Sequence, residues 1–407
     1  MDTLRQFAES AELSTDIYSL CAIAVIAAGV PLIVGLMRLP VAEVVLLLAA
    51  GDGVGPQVLG WVQITPSIIL LAEIGMAFLF FAAGLELEKH AIRGRSGRLA
   101  LVGWLTSVVL ACLAAGILEW LGIINDFLGV AIALTSTALG TLLPILRDKG
   151  LLKTPFGTYF MGAGAIGEFG PVLAISILLS TKSPGMAVVA IVTFAGVALA
   201  FVKIPGWLRT DRIVSIVEHG HGTSSQTAVR LTVFLLVALV AAAEFFGLDV
   251  ALGAFVAGII LKILSDETHD SLLLTKLTGL AFGLFIPLFF VVSGAKLDVA
   301  SIIDNPGLLL VFTALLLVVR GVPQFLIYRR AIPQTRERAR FSLYVATALP
   351  IIVAVTSVEL EAGIMLPEVG AALVGAGALS VLIFPLVAQA FAPKLTPQDY
   401  ERAEATT

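Results

Sequence analysis

Thirteen apolar runs, most of them close to the length a helix needs to cross a bilayer, follow one another along this chain. They occupy residues 16–36, 41–57, 66–87, 99–121, 126–146, 157–180, 185–202, 228–247, 249–264, 276–295, 305–328, 341–358 and 366–392. In lipid every backbone N–H and C=O must pair within the protein, so runs of this length predict helices. The fold expected is an all-α, multi-pass membrane protein. Composition supports this and excludes a soluble domain: 58% of the 407 residues are hydrophobic and 13% charged. The second and ninth runs are short and contain glycine, which suits partial or tilted crossings.

The charges test the count. With the acidic N-terminus (Asp2, Glu9, Glu12, Asp16) outside, alternation places Arg38, Lys89, Arg93, Arg95, Arg98, Arg147, Lys149, Lys153, Lys203, Arg209, Arg212, Lys262 and the Arg329–Arg340 cluster on the inner side. The outer side holds Asp126, Asp304, Glu359, Glu361 and Glu368, with Arg5, Lys182 and Lys296 as its few bases. Thirteen spans with the N-terminus out and the C-terminus in satisfy the positive-inside rule along the chain. The N-terminus lacks the basic region of a signal peptide. About fifteen residues follow Pro393, too few for a soluble regulatory domain, so a single membrane domain over 1–407 is expected. Cys21 and Cys112 fall in separate apolar runs with no ligand at metal spacing, and read as reduced packing residues.

The chain resembles itself at an offset of about 210 residues. Ser136-Thr-Ala-Leu139 recurs as Ala346-Thr-Ala-Leu349, and Phe80-Phe81-Ala-Ala-Gly84 as Phe289-Phe290-Val-Val-Ser-Gly294. Thr137 falls on an outside-to-inside span and Thr347 on an inside-to-outside one, so the repeats (41–202 and 228–392) are expected to be inverted. Hydroxyls and helix breakers coincide in both: Thr135, Ser136 and Thr137 with Gly140 and Pro144, and Thr347 with Pro350. These predict two discontinuous helices that cross near the midplane, where such scaffolds hold their ions. Ordinary helices with hydroxyls bonded back to their own carbonyls are the alternative.

Glu168 is the residue most in need of explanation. It is the sole charge between Gly157 and Ser180, about a dozen residues from either end. An ionisable group at that depth costs roughly 2.5–3.5 kcal/mol and by default marks an ion or proton path. Arg320 is the other deep charge. Its expected role is charge compensation in the core, towards Glu168 or the carbonyl ends of the broken helices; snorkelling to the inner interface is the alternative. An arginine does not give up its proton in a protein, so it is not a proton carrier. Glu73 is a possible secondary acid, Glu43 and Glu244 lie near span ends, and His219 and His221 read as solvated loop residues.

Several passages, in order along most of the chain, are similar to the monovalent cation:proton antiporter-2 family of the sodium/hydrogen exchanger fold. They are Leu39-Pro-Val-Ala-Glu43, Phe80-Phe-Ala-Ala-Gly-Leu-Glu86, Thr135-Ser-Thr-Ala-Leu139, Lys153-Thr-Pro-Phe-Gly157 and Leu252-Gly-Ala-Phe-Val-Ala-Gly258. The resemblance implies a thirteen-span, elevator-like transporter, usually a homodimer, with crossed broken helices beside an ion-binding acid. By position Glu168 matches that acid, Arg320 the basic residue of the late core helix, and Thr135–Thr137 the first crossover. Two departures stand out. The acid is glutamate where aspartate is common, and Gly167 stands where electrogenic relatives have a second acid.

The function expected is exchange of Na⁺ or K⁺ for H⁺ across a cell (inner) membrane, electroneutral at one for one, with cation and proton competing at Glu168. No enzyme activity, cofactor or nucleic-acid partner is expected. An organic-solute transporter on the same scaffold, with Arg320 binding a substrate carboxylate, is the first alternative. An ion channel is a weaker one, since no selectivity run of carbonyls or charges is present.

Overall fold

The computed structural model describes residues 2–37, 42–86, 94–152, 154–178, 184–208, 226–264, 271–297, 299 and 306–391. The predicted loop residues Arg38, Lys89, Arg93, Lys153, Lys182, Arg209, Arg212, His219, His221 and Asp304 lie outside this set.

Every regular element among the described residues is helical. In chain order they are α1 (Asp2–Met37), α2 (Glu43–Val54), α3 (Pro66–Leu85), α4 (Gly94–Trp120), α5 (Phe127–Leu134), α6 (Leu139–Asp148), α7 (Pro155–Leu178), α8 (Pro184–Leu208), α9 (Thr227–Phe245), α10 (Val250–Leu264) and α11 (Ser271–Leu280). There follow α12 (Ile286–Ala295), α13 (Pro306–Leu316), α14 (Val322–Ile327), α15 (Thr335–Ala346), α16 (Pro350–Glu361) and α17 (Pro367–Ala390). One π-helical turn, Ala281–Phe285, joins α11 to α12, and a second, Leu317–Gly321, joins α13 to α14. Among the described residues eight helical stretches are long and apolar enough to cross a membrane, one of which, Thr335–Glu361, contains a break. Of the other expected spans, α7 and α8 are continuous helices of 24 and 25 residues, the fifth is interrupted, and two are short. Helix α2 has 12 residues, a rise of only about 18 Å, and α10 has 15.

The fifth and twelfth expected spans are broken. Between α5 and α6, residues 135–138 leave the helix; between α15 and α16, residues 347–349 do. The first break precedes Gly140, and Pro144 sits within α6. At its outset Asp126 caps α5, its side chain accepting the Gly129 N–H. At its end the Thr135 and Ser136 hydroxyls donate to the carbonyls of Ile132 and Ala133. Those hydroxyls occupy acceptors that a continuing helix would use. The second break follows from Pro350, which disfavours helix at Leu349 and supplies no N–H of its own.

The helices pack in two groups. Helices α2, α3, α10 and α12 form the centre of one, with α1, α9 and α11 around them. The other holds α4 to α7 and α13 to α17, and direct contacts between the groups are few. Within the first group two crossings are close enough to require glycine. A Cβ on Gly84 would strike the Phe255 carbonyl and one on Gly258 the Phe81 carbonyl; Gly51 and Gly294 meet the Val291 and Leu48 carbonyls in the same way. The two crossings, α3 on α10 and α2 on α12, exchange partners under the 210-residue offset that relates Gly84 to Gly294.

Candidate functional site

The two breaks meet. Ala138 N–H donates to the Thr347 carbonyl at 2.7 Å, and the Thr137 hydroxyl to the Val345 carbonyl at 2.8 Å. Thr137 N–H donates to the Gly167 carbonyl at 3.1 Å, which draws α7 into the same junction. On the other side Ser380 of α17 accepts the Ala348 N–H at 3.0 Å. Backbone groups released by both breaks thus find partners in one another or in a neighbouring helix, which is what non-helical backbone at membrane depth requires.

Glu168 lies one residue beyond this contact, buried at 6% exposure. Its Oε1 accepts the backbone N–H of Leu139 at 2.9 Å and of Gly140 at 3.4 Å, the first amides of α6. A helix N-terminus favours an anion at this place. Oε2 has no hydrogen-bond partner among the described residues. The side chain lines a cavity of about 620 Å³ between the two helix groups, together with Glu43, Glu86, Thr141 and Gln389. Its polar wall is therefore rich in carboxylates.

Arg320 lies on the π-helical turn before α14 and is fully buried. It does not pair with Glu168. Its Nε donates to the Thr137 hydroxyl at 2.9 Å and its Nη2 to the Ala163 carbonyl at 3.0 Å. It takes neither of the partners expected from the sequence, Glu168 or the carbonyl ends of the broken helices: it bonds the Thr137 side chain in the first break and a carbonyl within α7, and its full burial does not fit snorkelling. The guanidinium also accounts for Gly167. A Cβ there would fall on Arg320 Nη2 and within 2.6 Å of the Thr137 hydroxyl, so the site has no room for a second acid at this position.

The other expected residues divide. Thr137 binds Arg320, whereas Thr135 and Ser136 turn their hydroxyls back to α5. None of the three bonds Glu168, which is held by main chain from the following helix. The Thr347 hydroxyl donates to Leu343 at 3.0 Å, and its carbonyl makes the crossover contact. Pro350 opens α16 and lines the cavity. Glu73 is exposed, stands in the field of Glu361, Lys296 and Glu244, and does not line the cavity. The acids that do, besides Glu168, are Glu43 and Glu86, and the Glu86 Oε2 lies 3.6 Å from where a Cβ of Gly140 would stand. Glu86 closes the Phe80–Glu86 passage, and nothing in the sequence assigns it a role. No signal in the sequence marked it, because an acid at the end of an apolar span reads as an interface residue.

An all-helical multi-pass bundle, with a buried carboxylate under a cavity between two helix groups and two interrupted helices crossing beside it, defines a membrane transporter. More narrowly, the chain belongs to the transmembrane sodium/hydrogen exchanger family, which it matches over residues 23–392. The probable Na(+)/H(+) antiporter 3 of Methanocaldococcus jannaschii is 25% identical over 279 residues, 66% of this chain and 69% of that protein. The putative Na(+)/H(+) antiporter YjbQ of Bacillus subtilis is 25% identical over 327 residues, 74% of this chain and 51% of that one. The glutathione-regulated potassium-efflux system protein KefC of Escherichia coli is 28% identical over 371 residues, 86% and 57%. The chain thus spans little more than half the length of the last two. In fold it is similar to the sodium proton antiporter MjNhaP1 from Methanocaldococcus jannaschii at pH 8, with TM-score 0.63 at 17% identity, covering 93% of this chain and 97% of that one.

Proposed function

We propose that this chain exchanges a monovalent cation, Na⁺ or K⁺, for a proton, with the two competing for Glu168. The observation that carries the reading is the asymmetry of that carboxylate. One oxygen is fixed by two amides of α6 and the other is left without a protein donor, on a side chain that lines the cavity. A hard monovalent cation takes oxygen ligands, and a proton takes the same oxygen and removes the charge the cation needs. The two occupancies exclude one another, which is sufficient for antiport once the site faces each side in turn.

The geometry supports alternation by movement of one helix group against the other: they touch little, and the cavity lies between them. With basic loops inward, thirteen spans, N-terminus out and C-terminus in, the cavity mouth at Glu43, Glu86 and Gln389 faces the cytoplasm. The partner exchange of the two glycine crossings supports two inverted repeats, 41–202 and 228–392, in one membrane domain. By the family resemblance the working unit is a homodimer in the cell (inner) membrane. Stoichiometry is one for one, because Gly167 is occupied by the guanidinium and Arg320 carries no exchangeable proton. A second titrating acid, if one takes part, is Glu86 in the cavity wall rather than Glu73.

The organic-solute alternative needs a cation facing the cavity. Arg320 is instead turned to Thr137 and Ala163. The test is proton flux in proteoliposomes driven by Na⁺, K⁺ or Li⁺ gradients. Glu168→Gln keeps the shape but binds neither ligand in exchange for the other, and is expected to abolish cation-dependent flux in folded protein. Exchange near the wild-type rate in that variant would remove Glu168 from the mechanism.

A further inference from the structure

The two helix groups that flank the cavity also meet away from it, at an ion pair. Lys296 caps the C-terminus of α12 in the first group, and Glu361 is the last residue of α16 in the second. Lys296 Nζ donates to Glu361 Oε1 at 2.7 Å. Each end is braced within its own group. The Lys296 N–H donates to the carbonyls of Val292 at 3.1 Å and Ser293 at 3.3 Å. Just past Glu361, Asn125, which precedes α5, donates to the Ile364 carbonyl at 2.6 Å and accepts the Leu366 N–H at 3.3 Å. Two helix ends, each fixed to its own group, thus carry opposite charges that bond across the seam.

The pair stands beyond the closed end of the cavity. Along α12 the cavity lining ends at Phe290, and along α16 at Ile351. At 1.5 Å per residue, Lys296 lies about 9 Å and Glu361 about 15 Å further on. The intervening Val291, Val292, Val353 and Val355 are buried. The two groups therefore part at the cavity and are joined at the pair. In the orientation proposed above, the cavity opens to the cytoplasm and the pair stands on the outer side.

We propose that Lys296 and Glu361 form an outer latch, a bond that favours the arrangement with the cavity facing inward and breaks whenever the groups move to expose the site outside. A contact made in one of two states shifts the equilibrium towards that state by its own strength. The side chains are 25% and 51% exposed, and a pair in contact with water is weak enough to be broken in every cycle. Its expected effect is roughly a 1.5- to 5-fold change in the ratio of the two states. The inference rests on the proposed movement of the groups, and it needs no particular ion at Glu168.

The test reads the groups directly, by electron-spin distance measurement in lipid nanodiscs. The full chain carries Cys21→Ser and Cys112→Ser, with spin labels at Trp61→Cys, between α2 and α3, and at Ile364→Cys, after α16; both positions are exposed. Labelled chain is diluted into unlabelled chain, so that only distances within one chain are read. The parent should show two populations. Lys296→Gln and Glu361→Gln should each raise the minor one roughly 1.5- to 5-fold relative to the major one. The double variant should go no further than either single, and Lys296→Arg should stay near the parent. Two populations whose ratio is unchanged in the single variants, or effects that add in the double, overturn the latch and leave the movement standing. A single distance in the parent at every pH and every Na⁺ or K⁺ concentration overturns the movement, and the latch with it.

Discussion

Gly167→Ala adds one methyl group to a membrane helix and should be among the more damaging small substitutions in this protein. In a helix with open surroundings the change would gain about 1 kcal/mol in propensity. Here the new Cβ falls on Arg320 Nη2 and on Thr137, whose Oγ1 and Cβ are 2.6 and 2.8 Å away. The guanidinium is fully buried and held at both ends, by Thr137 and by the Ala163 carbonyl, so it has no free direction to retreat. Overpacking of this kind costs about 1–3 kcal/mol, and each hydrogen bond to a charged group that is broken a further 1.5–3 or so. With one such bond lost and the propensity gain subtracted, the expected destabilisation is roughly 2–5 kcal/mol. The measurement is thermal unfolding of the purified chain, with Gly196→Ala as control, because a Cβ at Gly196 meets nothing within 4 Å. The penalty should shrink in an Arg320→Ala background, since contacting sites are not additive. A Gly167→Ala protein as stable as wild type, or one whose penalty is the same with and without Arg320, would refute the idea that the guanidinium fills this space.

Glu86→Gln should raise the cation concentration needed for half-maximal flux about two- to sixfold, the effect of removing a unit charge if its separation is taken as about 8 Å in a wet cavity of effective dielectric about 40–80. Glu73→Gln should leave it unchanged; equal effects in flux assays would count against Glu86 as a cavity acid. Arg320→Lys should retain measurable exchange, while Arg320→Ala should lose about 1–3 kcal/mol of stability for each buried acceptor left bare, read from melting in detergent. Exchange should be indifferent to an imposed membrane potential: with the voltage clamped by an ionophore for an untransported ion, a reversal point that moves with voltage would end the one-for-one scheme and implicate Glu86.

Much of the architecture was legible because membranes leave few options for an apolar run. The breaks at 135–138 and 347–349 were readable from Pro350 and from hydroxyls clustered among apolar residues. The roles of those hydroxyls were not. Thr135, Ser136 and Thr137 look alike in sequence, yet two bond back to α5 and one reaches across to Arg320. Which of them does so depends on where the chain leaves the helix, and a shift of one residue would rotate a different hydroxyl into place. Glu86 was obscured for a related reason. An acid closing an apolar span reads as an interface residue until the packing of α3 against α6 brings it beside Gly140. The π-helical turn at Leu317–Gly321 leaves no mark in composition, although it carries Arg320.

The separation of Glu168 from Arg320 bears on the proposed exchange. A buried carboxylate paired to an arginine stays ionised over the whole working range of pH, and such a group does not alternate between proton and cation. Compensation by the amides of α6 is weaker and adjustable, because a helix terminus supplies about half a unit charge. Thr137 maintains the division: its hydroxyl accepts from Arg320 and donates to Val345, so the full positive charge is committed to the junction of the broken helices. Gly167 and Glu168, neighbours on α7, thus face two different tasks, the first making room for the charge that holds the crossover together and the second left free to exchange its own.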